Sequence, residues 1–511
     1  MAAKSKNANI KSLRSTLDFL EKEGELLRIK GEVDPVYEIS GIQMALESGP
    51  AILFENIKGY PHARDVGNVF ARRDRIGKMF GVEDHKQFKF KCIDAMTNPI
   101  KPRVVEKAPC QEVVITEGID VMNYLPILKH TVKDGGRIIG GGNMFISGKY
   151  FKGGTHVSFN RTHFQGKDWA SMQAFVGTHL GDSFFVNRGE KVPMTINIGN
   201  PPAVTFVAGG TVMHTLLPRG TDKLGISGAL QGYPVDIVKC KTVDAYSIAE
   251  AEWVIEGYMD TTQRVWESPE ANKVEAYGSA PFFPEWPGYM GRAMKTFKFV
   301  ATAITHRKDR PIFFSPLAHS YEGDILCSML REACFYELID RLIPGLLKDV
   351  YILDGVGPRA HVVFQVEKRR PGDEGYSKNI ITAAFGATQG LYTVIVVDED
   401  VDIYSADDVM WAIITRLDPE TGILRGTPGG RGSPMMPLER MGKTGKVIGE
   451  FHYPGGLGLD CTVPFDEKWG FDRGRYPVDR INLKKWLTDE QIASVRAIQP
   501  DFAKLMAKRG G

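Results

Sequence analysis

The sequence predicts a mixed α/β protein of two or three domains, with a strand-rich centre between α/β segments. Three observations carry this. At 511 residues the chain is too long for one ordinary core. Short β-branched runs punctuated by glycine and proline dominate from about residue 111 to 310. Helical periodicity is concentrated outside that stretch.

Each element follows in order. Leu13, Leu17 and Leu20 recur at helical spacing and Gly24 offers a stop, so the chain opens on an amphipathic helix. An apolar run, Ala51–Phe54, precedes the turn Lys58-Gly59-Tyr60-Pro61, which suits an α/β segment. Pro99, Pro102 and Pro109 mark a change of character. Val113–Thr116, Met194–Ile198, Ala203–Val207 and Val235–Val238 read as strands of a barrel or curled sheet, interrupted by helix near 168–180. Asp324–Leu342 reads as a tethering helix, with Pro344 after it. His361–Val366 and Thr393–Asp398 read as strands of a terminal α/β domain, the second suited to a buried sheet. The last helix carries a capping box, Thr488 with Gln491.

Composition excludes several classes. A net charge of +2 argues against a nucleic-acid binder, and the basic Lys368-Arg369-Arg370 is bracketed by acids, as a solvated face would be. No apolar run approaches the roughly 18–20 residues of a membrane helix. Six cysteines without CxxC spacing suit a reducing compartment rather than a disulfide or zinc scaffold, so the expected location is cytoplasmic.

Two segments carry the chemistry. Gly153-Gly154-Thr155-His156-Val157-Ser158-Phe159-Asn160-Arg161, followed by His179, has the make-up of an anion site. On a strand His156, Ser158 and Asn160 share a face, while Arg161 points with Val157 and Phe159. Such an arginine is either a buried salt-bridge member or a ligand anchor. Ala280-Pro281-Phe282-Phe283-Pro284-Glu285-Trp286-Pro287-Gly288-Tyr289 holds one carboxylate among four aromatic rings. Glu285 is either a solvated loop acid or, if desolvated, an acid with a raised pKa that carries a proton near neutrality. The clusters Gly140–Gly142 and Gly455–Gly458 lack G-x-G-x-x-G spacing and read as turns. Asp398-Glu399-Asp400-Val401-Asp402 lacks the glycine and distal Glu of a calcium loop and reads as a solvated strand end.

In this order the pieces resemble the UbiD family of reversible decarboxylases that use prenylated FMN. The resemblance spans nearly the whole chain and includes Phe54–Pro61, Gly228–Gly232, Ala251–Tyr258, Val300–Arg307, Val396–Asp402 and Asp460–Pro464. The Pro284–Tyr289 segment is similar to the hydroxybenzoate-type branch. The family implies an N-terminal α/β domain (1–110), a split β-barrel flavin-binding domain (111–322), a linker helix (323–345) and a C-terminal α/β oligomerisation domain (346–511). It implies a homo-oligomer, dimer or hexamer, and a flavin prenyltransferase that supplies the cofactor. The modified flavin acts as electron sink when CO2 leaves. By match to the family motif, Arg161 holds the carboxylate along the cofactor, and Glu285 protonates the carbon or removes its proton in carboxylation. Thr155, His156, Ser158, Phe159, Asn160, His179 and Lys223 fall where the family binds flavin phosphate. His319, Arg359 and Ser433 fall in pocket-lining segments. The expected substrate is an aromatic carboxylic acid or its thioester.

Three departures stand out. The earlier member of the family's Glu-x-x-x-x-Glu pair is Ala280, so Glu285 must be tuned by Arg161, desolvation or another acid. The usual metal-binding Asn, His and Glu appear as His156, His179 and Lys223. A charged lysine cannot bind a cation, so Lys223 is expected to grip the phosphate in place of the divalent metal, with Asp222 as a relocated ligand beside the two histidines should manganese and K+ be bound. Tyr392 stands where relatives carry a lysine. Two other function classes remain open: a flavin carrier without chemistry, and a structural subunit of a multi-subunit aryl carboxylase.

Overall fold

A computed structural model describes residues 8–147, 150–151, 154–174, 178–210, 221–275, 280–388, 390–426, 436–437, 455–474, 476–477 and 480–499. The chain forms two units, one running through Thr462 and one beginning at Val463.

The first unit begins with the helix Leu13–Lys22, closed by a capping box at Ser12 and buried along Leu13, Leu17 and Leu20. Leu26–Val33, Ala51–Ile57 and Arg64–Gly67 form a sheet whose fourth strand is Ile312–Phe314, paired in parallel with Arg64–Gly67. Ile312, Phe313 and Phe314 are all buried, which explains why this distant segment is drawn in.

An eight-stranded sheet forms the centre. Along its main path lie Thr155–Phe159, Asn143–Ser147, Lys191–Ile198, Trp253–Trp266, Lys295–His306, Trp169–Met172 and Thr162–Phe164; Val113–Ile115 pairs beside Lys295–His306. The two strands at the ends of that path are successive in sequence, joined by Asn160 and Arg161 alone. The sheet therefore has to curl until its edges nearly meet, and the residues at the seam are Asn160 and Arg161. An isolated bridge between Ile139 and Thr162 holds the seam.

Two readings of this region are corrected. Ala203–Val207 belongs to a helix, Pro202–Gly209. Pro202 supplies a preset first turn, and every residue of the helix is buried, so its composition reports burial rather than strand geometry. The stretch near 168–180 is not one helix: Trp169–Met172 is a strand of the hairpin with Thr162–Phe164, and helix begins only at His179. His179 thus opens a helix instead of following one.

The helix Tyr321–Leu342, capped by Ser320, is about 33 Å long at 1.5 Å per residue. Its first half, from Ile325 to Cys334, packs into the core shared by the N-terminal and central sheets, while Phe335 and Ile339 enter the next core. That next core lies on a five-stranded sheet ordered Leu347–Tyr351, His361–Val366, Thr393–Asp398, Leu457–Cys461, Ile423–Arg425. Alternate residues of its central strands serve opposite faces: Val362, Phe364, Val394 and Val396 face one cluster, and Val363, Ile395 and Val397 the other. Asp398 is not solvated, because it is buried beside Arg416, which also pairs with Asp400. Within the basic triplet, Lys368 is likewise buried, bonded to Glu374; Arg369 and Arg370 are the solvated pair.

The second unit contains short 3-10 turns at Phe465–Phe471 and Leu483–Lys485 and the helix Asp489–Ile498, which has the expected capping box of Thr488 and Gln491. No described helix is long and apolar enough to cross a membrane.

Candidate active site

The seam residue Arg161 is buried and held by several acceptors. Its Nε donates to Glu267 Oε1 at 2.8 Å and its Nη2 to Glu267 Oε2 at 2.6 Å. Nη1 donates to Glu285 Oε1 at 2.6 Å, and Nη2 also to the Arg292 carbonyl at 2.8 Å. The Gln173 amide, turned with its oxygen toward the guanidinium, accepts from Nη2 at 2.9 Å and Nε at 3.1 Å. The Phe282 ring lies 4.8 Å from the guanidinium carbon. Burial alone would lower the Arg161 pKa, but Glu267 and Glu285 outweigh it and raise the value. This guanidinium is a permanent cation.

The partners arrive from two elements. Glu267 follows directly on the long strand Trp253–Trp266, and its Oε2 also accepts from Met294 N at 2.8 Å. Glu285 sits in the turn of a hairpin between Pro281–Pro284 and Met290–Arg292, with its N–H donating to the Tyr289 carbonyl at 3.0 Å. Gly288 takes a φ of +81° in that turn, a conformation glycine adopts without strain. The Glu285 side chain is 12% exposed. Burial raises its pKa, opposed in part by Arg161 and then by Arg359. Glu285 is thus the acid of this site that burial tunes upward, held one guanidinium away from Glu267.

The Glu–Arg–Glu chain therefore has both acids. Ala280 does not cost the network a member, since Glu267 supplies it from outside the hairpin. Nothing in the local sequence around Glu267 marked it; the curl of the sheet brings it to Arg161. His163, Gln173 and Arg292 also went unread in the sequence. His163 Nδ1 lies 2.7 Å from the Glu267 carbonyl, and burial lowers the imidazole's pKa.

A second cluster forms where the strand Thr155–Phe159 meets the starts of the helices His179–Val186 and Lys223–Gln231. His156 Nε2 lies 3.1 Å from Ser158 Oγ, which donates to Asn160 Oδ1 at 2.7 Å, so these three residues do share a face. The His156 and His179 rings are 5.7 Å apart. Thr155 Oγ1 donates to Asp222 and accepts from Leu224 N. Asp222 also caps its helix by accepting from Gly225 N at 3.0 Å. Phe159 is partly buried and packs against the apolar cluster that contains Val157.

Lys223 is buried, and its Nζ donates to the Val157 carbonyl at 3.1 Å; among the described residues no carboxylate pairs with it. Burial, aided by Arg359, lowers its pKa to about 8. The donor set thus fits an anion such as a flavin phosphate. It suits a hard cation less, because an ammonium replaces one ligand; Asp222 meets both Thr155 and the cap through Oδ1 alone. Among the described residues no group of three or more His, Cys, Asp or Glu could hold a metal ion.

The pocket residues are partly brought together. His319 packs against the Glu285 turn, where a Cβ on Gly288 would lie 3.0 Å from its Nε2. Arg359 lies 5.9 Å from the Trp286 ring centre. Ser433 lies outside the described residues. Tyr392 donates its N–H to the Ala360 carbonyl at 2.7 Å. The glycines Gly141 and Gly142 are packing positions, pressed against Pro316 and Ile196.

Residues 17–90, 103–319 and 324–451 match family profiles for the N-terminal, Rift-related and C-terminal domains of 3-octaprenyl-4-hydroxybenzoate carboxy-lyase, UbiD. The chain is 33% identical to gallate decarboxylase of Lactiplantibacillus plantarum over 466 residues, covering 87% of this chain and 92% of that one. The structure of the UbiD-class enzyme HmfF from Pelotomaculum thermopropionicum in complex with prFMN is similar at a TM-score of 0.79 and 29% identity, covering 93% of this chain and 100% of that one. Apo 3,4-dihydroxybenzoic acid decarboxylase of Klebsiella pneumoniae is similar at a TM-score of 0.82 and 30% identity, covering 93% and 98%.

Proposed function

The chain belongs to the UbiD family of carboxy-lyases, and we propose that it reversibly decarboxylates an aromatic carboxylic acid, or its thioester, with prenylated FMN. The single observation that carries this reading is the buried chain Glu267–Arg161–Glu285, in which one acid is held by a fixed cation and raised in pKa by burial.

When bound, the cofactor supplies the electron sink for the charge left as CO2 departs. The residues do the rest. Arg161 holds the substrate carboxylate. Glu267 grips Nε and Nη2, which fixes the guanidinium plane and leaves Nη1 to face Glu285 and the reacting group. Glu285 carries the proton and delivers it to the carbon that has lost CO2; in the reverse direction it takes that proton back. Aromatic and proline neighbours exclude water from that step. Lys223 grips the flavin phosphate in place of a divalent metal, with Thr155, His156, Ser158, Asn160 and His179 around it. Supply of cofactor by a flavin prenyltransferase and assembly into a homo-oligomer belong to the same reading. The alternatives of a flavin carrier or structural subunit are not favoured, because neither needs both acids retained on Arg161.

The test is expression of the chain with a flavin prenyltransferase, followed by proton–deuterium exchange on a panel of aromatic acids. Exchange is expected for the wild type. Glu285→Gln should lower it by about 10²–10⁴-fold and keep the flavin spectrum, the range general acids contribute. Undiminished exchange in that variant would remove Glu285 from its role.

A further inference from the structure

The protein's other buried arginines have carboxylates to meet. Arg73 meets Glu332 and Asp354, Arg75 meets Glu25, Arg161 meets Glu267 and Glu285, and Arg416 meets Asp398 and Asp400. Arg331, inside the long helix Tyr321–Leu342, is as deeply buried and has none among the described residues. Its Nη1 donates to the Arg359 carbonyl at 2.7 Å and its Nη2 to Thr388 Oγ1 at 3.4 Å, while Nε has no acceptor among the described residues. The charged group acting on it most strongly is another cation, Arg359; the thiols of Cys327 and Cys334 act on it less. Burial pushes the Cys334 thiol up to about 12, so it is neutral and offers no compensation.

Among the described residues no carboxylate pairs with Arg359 either. Its Nη2 reaches Cys327 Sγ at 3.7 Å, its buried Nε has no acceptor among the described residues, and its guanidinium carbon lies 5.9 Å from the ring centre of Trp286, the residue after Glu285. Its field lowers the pKa of Glu285 and of Lys223 alike, so both feel its charge. A buried and a half-buried guanidinium thus lie together with no carboxylate paired to either among the described residues, while Glu285 is already bound to Arg161. Desolvated like charges of this kind are costly unless an anion enters among them.

We propose that Arg359, backed by Arg331, forms an oxyanion subsite distinct from the grip of Arg161, filled when the site is loaded. This rests on the reading of the chain as a flavin-dependent aromatic decarboxylase. The ligand is a carboxylate, phenolate or phosphate oxygen cluster, which suits a guanidinium fork. It is borne either by a second acidic group on the substrate or by the cofactor's phosphate. The position of Arg359 beside Trp286 favours the substrate, which then carries two acidic groups.

The experiment uses the full chain loaded with unprenylated FMN, so that binding is read without turnover. Benzoate, isophthalate, terephthalate and the hydroxybenzoates are titrated against flavin fluorescence, and FMN affinity is measured in parallel. Wild type, Arg359→Gln, the charge-retaining Arg359→Lys and Arg331→Met are compared. At least one diacid or hydroxy acid is expected to bind wild type about tenfold or more tighter than benzoate. Arg359→Gln should remove that preference, Arg359→Lys should keep part of it, and FMN affinity should stay unchanged. A tenfold loss of FMN affinity in Arg359→Gln instead assigns the subsite to the phosphate. Equal binding of all acids by wild type, together with unchanged FMN affinity in the variants, overturns the inference. Failure of wild type to bind FMN overturns the functional reading itself.

Discussion

Gly291 lies directly over the Arg161–Glu285 contact, and its missing side chain is part of the site. A Cβ there would come within 2.6 Å of Glu285 Cγ and 2.7 Å of Arg161 Nη1, closer than carbon tolerates. Gly291→Ala must push the acid and the guanidinium apart. Displacements of this size in reacting groups cost about 10²-fold in rate. The expected outcome is a fall of about that size in kcat/KM with flavin content at the wild-type level. Full activity in this variant would show that the pair tolerates separation. Arg161 and Glu285 were legible because each stands in a segment whose composition is odd: an arginine ending an alternating strand, and a lone acid among rings and prolines. Glu267 was not, since a Trp-Glu-Ser-Pro stretch at a strand end looks like any exit from a sheet.

Among elements, the helix Tyr321–Leu342 joins the most parts. Arg73 reaches into it and donates to Glu332 at 2.9 Å through both Nη1 and Nη2, and also to Ser328 and Asp354, with Tyr351 stacked 4.3 Å from its guanidinium carbon. Removing the cation would leave buried acids unpaired. Arg73→Met should therefore destabilise by about 3–5 kcal/mol, visible as an earlier transition in chemical denaturation. A transition at the wild-type midpoint would mean that water or movement replaces the arginine. This helix was readable from Asp324 on, because its apolar residues repeat on one side; its first turn, capped by Ser320, was not. The buried helix Pro202–Gly209 was not, because an element apolar on every side has no periodicity to read. The seam of the central sheet was also invisible: register and curl depend on pairings between residues far apart in the chain.

For the molecule as a whole, the start of the same helix is a pH-sensitive junction. Glu322 accepts from the N–H groups of Asn68 and Phe70, and Asp324 accepts from Gly355 N. Burial raises each to about 7. Unfolded carboxyls titrate near about 4, so the fold binds more protons than the unfolded chain between those values. The stability these groups contribute is full below the unfolded pKa and is lost as pH rises through about 7. The thermal midpoint is expected to fall between pH 6 and pH 8, and Glu322→Gln with Asp324→Asn should flatten that slope. A slope of the same size in the double variant would place the effect elsewhere.

The strand Ile312–Phe314 has a further implication for how the protein is made. It completes a sheet whose other three strands lie before residue 68, so nearly 250 residues must be synthesised before that first sheet has its edge. Until then the side of Arg64–Gly67 that awaits it stays open to foreign strands. On the ribosome, the beginning of this chain has to wait for its middle.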